Sequence, residues 1–328
     1  MFDTHYGWRI GVEGLGRSAG VLLCYFMIAS CSTVTRSDDA APLRQTAGLI
    51  EDVKAFGKTL GIEPTDALRR TSQDTPTLSM LWLWMQREGT LALSAPVDIR
   101  LAIGLNVEKE APKLEQVYRV DGYSVYHRQG NEFGDPRSVA TKGFAEEPLV
   151  RRVKVILHED LHGDVNFALP WEIEEAIVTP LGSLAAIEYF RHKGDEKGRA
   201  NAVSSVAEER TLSRELMVLV AQAEKIFAAE SVNEAKQRVL DLLPSFANYQ
   251  RRFNYETRDQ HGPTVVEAKL SHDLAYYRYF DRIAELAEKA PSLRTLIEDF
   301  KRLPQDSTPA AMEKLLHELH AKYGAGTK

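Results

Sequence analysis

Apolar residues recur at helical spacing along most of this chain. Between Thr46 and Gly61 the apolar positions fall three or four apart, which predicts an amphipathic helix. The same spacing continues beyond Pro148, in segments that glycine, proline or serine separates. These segments predict further helices over residues 149–162, 171–192, 204–230, 232–253, 265–289, 293–303 and 309–322.

Strand-like patterns are concentrated in the N-terminal half. Residues 79–97 predict two strands around a turn at Arg87-Glu88-Gly89, and residues 122–130 alternate as a single strand. The expected fold is therefore α+β and mostly helical. A small mixed α/β part (46–147) precedes a helical part (148–328), and together they form a single domain over residues 46–328.

The bulk composition is that of a soluble globular protein. Of 328 residues, 44% are hydrophobic and 27% are charged, and the net charge is −6. This balance offers no basic surface for nucleic acid, so a nucleic-acid partner is not expected.

The N-terminus has the pattern of a bacterial export signal. Arg9 and Arg17 precede a short apolar run, Ala19–Ala29, which is far below the roughly 20 residues that span a bilayer. The small residues before Cys31 resemble a lipobox, which predicts a lipoprotein signal peptide over residues 1–30. An ordinary secretory signal that is cut nearby is the alternative.

Lipidation at Cys31 would make residues 31–45 a lipidated tether and anchor the protein to a membrane. Ser32 follows the cysteine, which for a Gram-negative host predicts the outer membrane of the cell envelope, with the domain facing the periplasm. The other cysteine, Cys24, is removed with the signal, so the exported domain is expected to have no disulfide.

The segment "HEDLH" carries the candidate chemistry. His158 and His162 are four apart on a predicted helix, so their imidazoles lie on one face and are able to bind one ion. Glu159 is rotated by about 100° from His158 and reaches a water on that ion without binding the ion. The alternative is that these residues form only the polar face of an ordinary helix.

A zinc site needs a third protein ligand, and the next helix supplies carboxylates. This helix begins after Pro170 and carries Glu172, Glu174 and Glu175 in its first turns. Carboxylates in a first turn also stabilise the helix dipole, which is the alternative explanation for Glu172. Glu175 lies a turn deeper and fits that explanation less well.

Three segments resemble a bacterial family of exported, lipobox-bearing proteins described as predicted aminopeptidases. "ATKGFAEEPL" (140–149) is similar to the segment before the family's metal helix, and "ILHEDLH" (156–162) is similar to its zinc helix. "IEEAIVTPLG" (173–182) is similar to its third-ligand helix, and "VEAKLSHDLAYY" (266–277) more faintly resembles a late helix. The resemblance implies a zincin-like helical part.

The resemblance also implies one Zn²⁺ per chain, bound by His158, His162 and Glu175, with Glu159 as the general base. The chain departs from the family at Asp160, where an apolar residue is usual, and at Gly163, where glutamine is usual. It also has Glu174 where an asparagine usually precedes the third ligand. The expected function is a zinc-dependent peptidase of the gluzincin type, and the resemblance favours an aminopeptidase.

Further roles follow from that function as candidates. The candidates for a donor that stabilises the oxyanion are His272, Tyr276 and Tyr277, although for His272 an ordinary core or surface position is the favoured alternative. Thr179 is a candidate for supporting a metal ligand. Glu172 or Glu174 is a candidate for binding the amino group of a peptide substrate.

The rival hypothesis is a non-catalytic envelope lipoprotein, a helical partner-binding or structural module that retains the zinc-peptidase fold. Asp160 and the acidic pair Glu172 and Glu174 favour this rival, because extra charge beside the ion blocks or occupies the open position. Peptide turnover that a chelator removes and zinc restores distinguishes the two hypotheses.

Overall fold

The computed structural model describes residues 40–72, 80–91, 98–102, 115, 120–130, 138–260 and 262–324. The strands are β1 (Leu68–Ser72), β2 (Met80–Arg87), β3 (Asp98–Ala102), β4 (Tyr123–Gly130) and β5 (Val139–Thr141). The α-helices are α1 (Ala40–Thr59), α2 (Lys142–Glu146), α3 (Leu149–His162), α4 (Trp171–Lys193), α5 (Glu196–Ala229), α6 (Val232–Leu242), α7 (Ala247–Glu256), α8 (Gly262–Tyr277), α9 (Phe280–Lys289), α10 (Leu293–Phe300) and α11 (Pro309–Gly324). The predicted α+β, mostly helical fold with a small mixed N-terminal part is confirmed.

Two small sheets lie in the N-terminal part. In one, β2 is the central strand and pairs antiparallel with β3 and β4, so that Trp84 lies opposite Ile99 and Tyr126. In the other, β1 pairs in parallel with β5, with Ser72 opposite Thr141. The second pairing joins segments far apart in sequence.

Helices α3 and α4 form an antiparallel hairpin. Helix α3 begins after Pro148 and ends at Gly163, as its pattern predicts. A 3₁₀ turn (Val165–Phe167) reverses the chain before α4 begins after Pro170. The short connection therefore brings the C-terminal end of α3 against the first turns of α4.

The helical part has two buried apolar clusters. One includes residues of α1, α3, α4 and α9–α11, with Ile156 and Ile177 fully buried. The other joins α5 to α8 and includes Leu216 and Leu270. Burial of this apolar surface, rather than disulfides, stabilises the described part of the chain.

One face of β4 lies along α8. The Ser124 hydroxyl donates to the Thr264 carbonyl (2.9 Å) and accepts from the Ala268 amide (3.0 Å). Two residues further along the strand, Tyr126 packs edge-on against His272 at a ring distance of 5.0 Å. Because alternate side chains of a strand share a face, Arg128 lies on this face too and points towards α8.

The predicted tether is shorter than expected. Helix α1 begins at Ala40, so residues 40–45 are helical rather than part of a tether. Pro42 lies in the first turn, where no amide is needed for a helical hydrogen bond, and Leu43 is buried. Helix α1 therefore begins earlier than predicted because its first turn tolerates Pro42 and because Leu43 is buried.

Two predicted helices are interrupted. A 3₁₀ turn at Leu243–Ser245 divides the predicted helix 232–253, because Pro244 lacks an amide donor. The predicted helix 265–289 ends at Tyr277 and a new one starts at Phe280. Strand β3, which pairs with β2, begins at Asp98, whereas the pattern predicts the second strand within residues 79–97.

The signal peptide, the lipidated Cys31 and residues 31–39 of the tether lie outside the described residues, so these expectations remain predictions. None of the described helices is both long enough and apolar enough to cross a membrane.

Candidate metal centre

The two motif histidines converge on one face of α3. Their Nε2 atoms are 3.1 Å apart, and the ring centroids of His158 and His162 are 4.6 Å apart. This follows from their i, i+4 spacing, which stacks the two side chains one turn apart. The face that carries them is turned towards α4.

Glu175 completes a group of three donors. Its Oε1 is 3.4 Å from the Nε2 of His162, and its Oε2 is 3.6 Å from the Nε2 of His158. Ligands about 2.0–2.1 Å from a tetrahedral zinc ion lie roughly 3.3 Å from one another. The three spacings therefore fit the ligand set of a zinc ion.

The chemistry of these donors also fits a cation. Glu175 is buried, yet its Oε2 accepts no hydrogen bond from any described residue. A buried carboxylate oxygen without a partner is costly unless a cation occupies the space before it. Two imidazoles and one carboxylate, with room for a further ligand, are the donor set of catalytic zinc sites.

Glu159 lies beside this group. It is buried, and a carboxylate oxygen lies within 4.8 Å of the ligand nitrogens of His158 and His162. Among the described residues, His158, Glu159 and His162 thus form a second set of three donors around the same space. This position fits a carboxylate beside the ion site and equally a ligand of the ion.

Charge is distributed unevenly in the cluster. Burial, together with the charge of His162, lowers the pKa of His158 to about 3. Burial would raise the pKa of Glu175, but the neighbouring His162 outweighs it and lowers that pKa to about 2. Burial alone would lower the pKa of His162, but Glu175 and Glu174 raise it well above its usual value. His162 and Glu175 thus form a charged pair, and a divalent cation bound there would replace the proton of His162.

Glu174 has a different position from the one expected of an amine-binding residue. Its Oε1 accepts a hydrogen bond of 2.6 Å from the Nδ1 of His162. Such a carboxylate fixes the imidazole so that Nε2 faces the ion. Glu172 forms no hydrogen bond or ion pair with a described residue and lies in the first turn of α4.

The departures at Asp160 and Gly163 have structural explanations. Asp160 points away from the histidines, forms a short buried ion pair with Lys54 of α1, and accepts from the amide and hydroxyl of Thr65 at 2.9 and 2.8 Å. A Cβ at position 163 would lie 1.8 Å from the Thr65 methyl group, so glycine is required there. Neither residue adds charge to the metal face.

Helix α8 and strand β4 supply further side chains. His272 is buried, its Nδ1 lies 2.9 Å from Asp273, and burial lowers its pKa to about 4. The hydroxyl of Tyr276 accepts from the Nη1 of Arg128 at 2.8 Å. Tyr277 lies in the second apolar cluster, where Arg252 stacks over its ring at 4.7 Å.

Thr179 gives no sign of supporting a ligand. Its side chain is buried, and its hydroxyl forms no hydrogen bond with a described residue. Its carbonyl accepts from the Ser183 hydroxyl at 3.1 Å.

Arg128 and Trp171 were not among the predicted site residues. Trp171 is four positions before Glu175 and so shares its helix face, and its ring is 5.7 Å from that of Tyr276. Arg128 shares a strand face with Tyr126, as the alternation of β4 indicates. The alternation of β4 and the helical spacing of α4 indicate these faces. Only the packing of β4 on α8 shows that Arg128 and Trp171 both contact Tyr276.

Gly182 sets the closest approach of the two metal helices. A Cβ there would lie 3.0 Å from the Cβ and 3.2 Å from the Cα of His158. Because these atoms belong to or adjoin the backbone, the helices would have to separate. We expect Gly182→Ala to weaken zinc affinity by about 10-fold and to destabilise the fold by about 1–3 kcal/mol. Competition with a chromophoric chelator measures the first effect.

Gly48→Ala is the matched control for this prediction. Gly48 is also helical, but a Cβ there would meet no atom within 4 Å. Alanine should stabilise α1 by up to about 1 kcal/mol and leave zinc affinity unchanged. Equal zinc affinity in both variants would show that the spacing of α3 and α4 does not position His158.

No family model matches the chain, and no curated protein or solved structure matches it either.

Proposed function

We propose that this protein is a zinc-dependent peptidase. The convergence of His158, His162 and Glu175, with Glu159 buried beside them, is the observation that supports it. When bound, zinc supplies a Lewis acid that polarises a carbonyl oxygen and acidifies water.

The surrounding residues have distinct roles in this proposal. The Glu159 carboxylate takes a proton from the attacking water and passes it to the departing amine of the peptide. Glu174 holds His162 with its Nε2 towards the ion. The Tyr276 hydroxyl, polarised by Arg128, is a candidate donor to the developing oxyanion.

Recognition of a peptide amino group would need a free carboxylate. Glu174 is engaged with His162, which leaves Glu172 as the candidate for this role. The aminopeptidase mode therefore depends on Glu172, and Glu172→Gln should raise KM for peptides with a free amino terminus if this mode operates.

Metal content tests the proposal directly. We expect about one zinc ion per chain after purification without a metal-binding tag, and loss of that zinc in His162→Ala because one ligand is removed. Inductively coupled plasma mass spectrometry measures the ratio. His317→Ala is the matched control, since His317 is exposed on α11, and it should retain zinc.

Turnover separates the peptidase from its rival. Hydrolysis of a peptide library that a chelator abolishes and zinc restores supports the peptidase. Zinc without any turnover would favour the non-catalytic envelope lipoprotein. Two of the three charges that favour that rival have other partners, because Asp160 pairs with Lys54 and Glu174 binds His162, whereas Glu172 has no partner among the described residues.

A further inference from the structure

Arg128 is a cation with no carboxylate partner among the described residues. Its side chain is exposed, its Nη1 donates to the Tyr276 hydroxyl at 2.8 Å, and its guanidinium lies 5.3 Å from the centre of that ring. The same nitrogen is 3.5 Å from the Nε2 of His272. Both neighbours are uncharged, since burial raises the pKa of Tyr276 and lowers that of His272.

A chain of contacts links Arg128 to the metal centre. Tyr276 packs edge-on against Trp171 at 5.7 Å, and Trp171 lies one helical turn before Glu175 on the same face of α4. Two contacts therefore connect the guanidinium to the face of α4 that carries Glu175.

The surroundings of Arg128 suit one end of a peptide. A guanidinium carries five N–H donors in a planar fork that matches a carboxylate, and the contacts with Tyr276 and His272 involve only its Nη1. Next to it, the rings of Trp84 and Trp171 lie 4.6 Å apart and form an aromatic wall with Tyr276. Trp84 is buried, so the partly exposed rings of Trp171 and Tyr276 offer the apolar contact to a substrate side chain.

We propose that Arg128 binds the free carboxylate of a short peptide, next to the bond that is cleaved. The inference rests on the proposed peptidase function and narrows its substrate class to peptides whose carboxyl terminus lies within a residue or two of that bond. Tyr276 is then a positioning residue, because it holds the guanidinium by its hydroxyl and its ring.

The test compares the dipeptide phenylalanyl-alanine with its C-terminal amide. Both keep the amino group, so a difference between them reports the carboxylate alone. Binding is measured by calorimetry on the zinc-loaded full chain carrying Glu159→Gln, which prevents turnover. A charge-assisted bidentate contact predicts that the free acid binds about 10–100-fold more tightly than the amide.

Arg128→Met in the same background should reduce this preference to about 1, and Arg128→Lys should keep part of it. Arg87→Met is the matched control: Arg87 is also exposed and stacks on a tyrosine, Tyr123, at the other end of the same pair of strands. It should keep the full preference.

Equal binding of acid and amide, no binding of either, or a preference that survives Arg128→Met would overturn the inference. Zinc content measured on the same samples separates the two failures. With zinc bound, only the carboxylate assignment fails. Without zinc, the proposed function fails and the inference with it.

Discussion

Replacing Glu159 with glutamine is expected to lower peptide turnover by about 10²–10⁴-fold and to leave zinc binding intact. Glutamine has the same shape but no basic carboxylate, so general-base catalysis is lost. The three proposed ligands, on the faces of α3 and α4 that meet, are unchanged. Initial rates with saturating peptide, together with zinc content, measure the two effects.

Glu188→Gln controls for the loss of a glutamate from the helical hairpin. Glu188 lies on α4 and pairs with the exposed Arg191, so turnover should be unchanged. Zinc loss in Glu159→Gln would make this residue a ligand instead. Full turnover in that variant would remove it from the mechanism.

The second large effect concerns the link between α1 and α3. Lys54 and Asp160 form an ion pair whose side chains are only 2% and 1% exposed. Replacing one partner leaves the other charge buried without compensation, which typically costs about 3–5 kcal/mol. We expect Lys54→Met to lower the free energy of unfolding by about this amount, measured by urea denaturation followed by circular dichroism.

A double variant distinguishes the lost pair from lost packing. Lys54→Met with Asp160→Asn removes both charges, and asparagine still accepts from the Thr65 amide. Most of the lost stability should return in the double variant. A single-variant loss below about 1 kcal/mol would show that water screens the pair.

Helices α3 and α4 were predictable because local signals define them. Helix α3 occupies its predicted range since Pro148 and Gly163 bracket an amphipathic segment. The i, i+4 spacing of the histidines then determines their common face. The position of Glu175 followed from a family resemblance, and the antiparallel hairpin accounts for why this glutamate, rather than Glu172, faces both imidazoles.

Features that depend on distant segments were not predictable. The pairing of β1 with β5 joins residues about 70 positions apart, and no periodicity encodes such a partner. Asp160 looked like extra charge at the metal face, and only the packing of α1 shows that Lys54 receives it. Arg128 likewise contacts Tyr276 of the proposed site only because β4 lies along α8.

The three proposed ligands come from one helical hairpin, and the connection between its helices is short. Closing a short loop has a small entropic cost, so the donors meet without waiting for contacts between remote segments. The hairpin is thus a local unit of low contact order. Zinc that binds its three donors would stabilise the hairpin while the chain folds as well as in the folded protein. If the chain is exported unfolded, as its N-terminal pattern predicts, its zinc content would depend on the metal supply in the compartment where it folds.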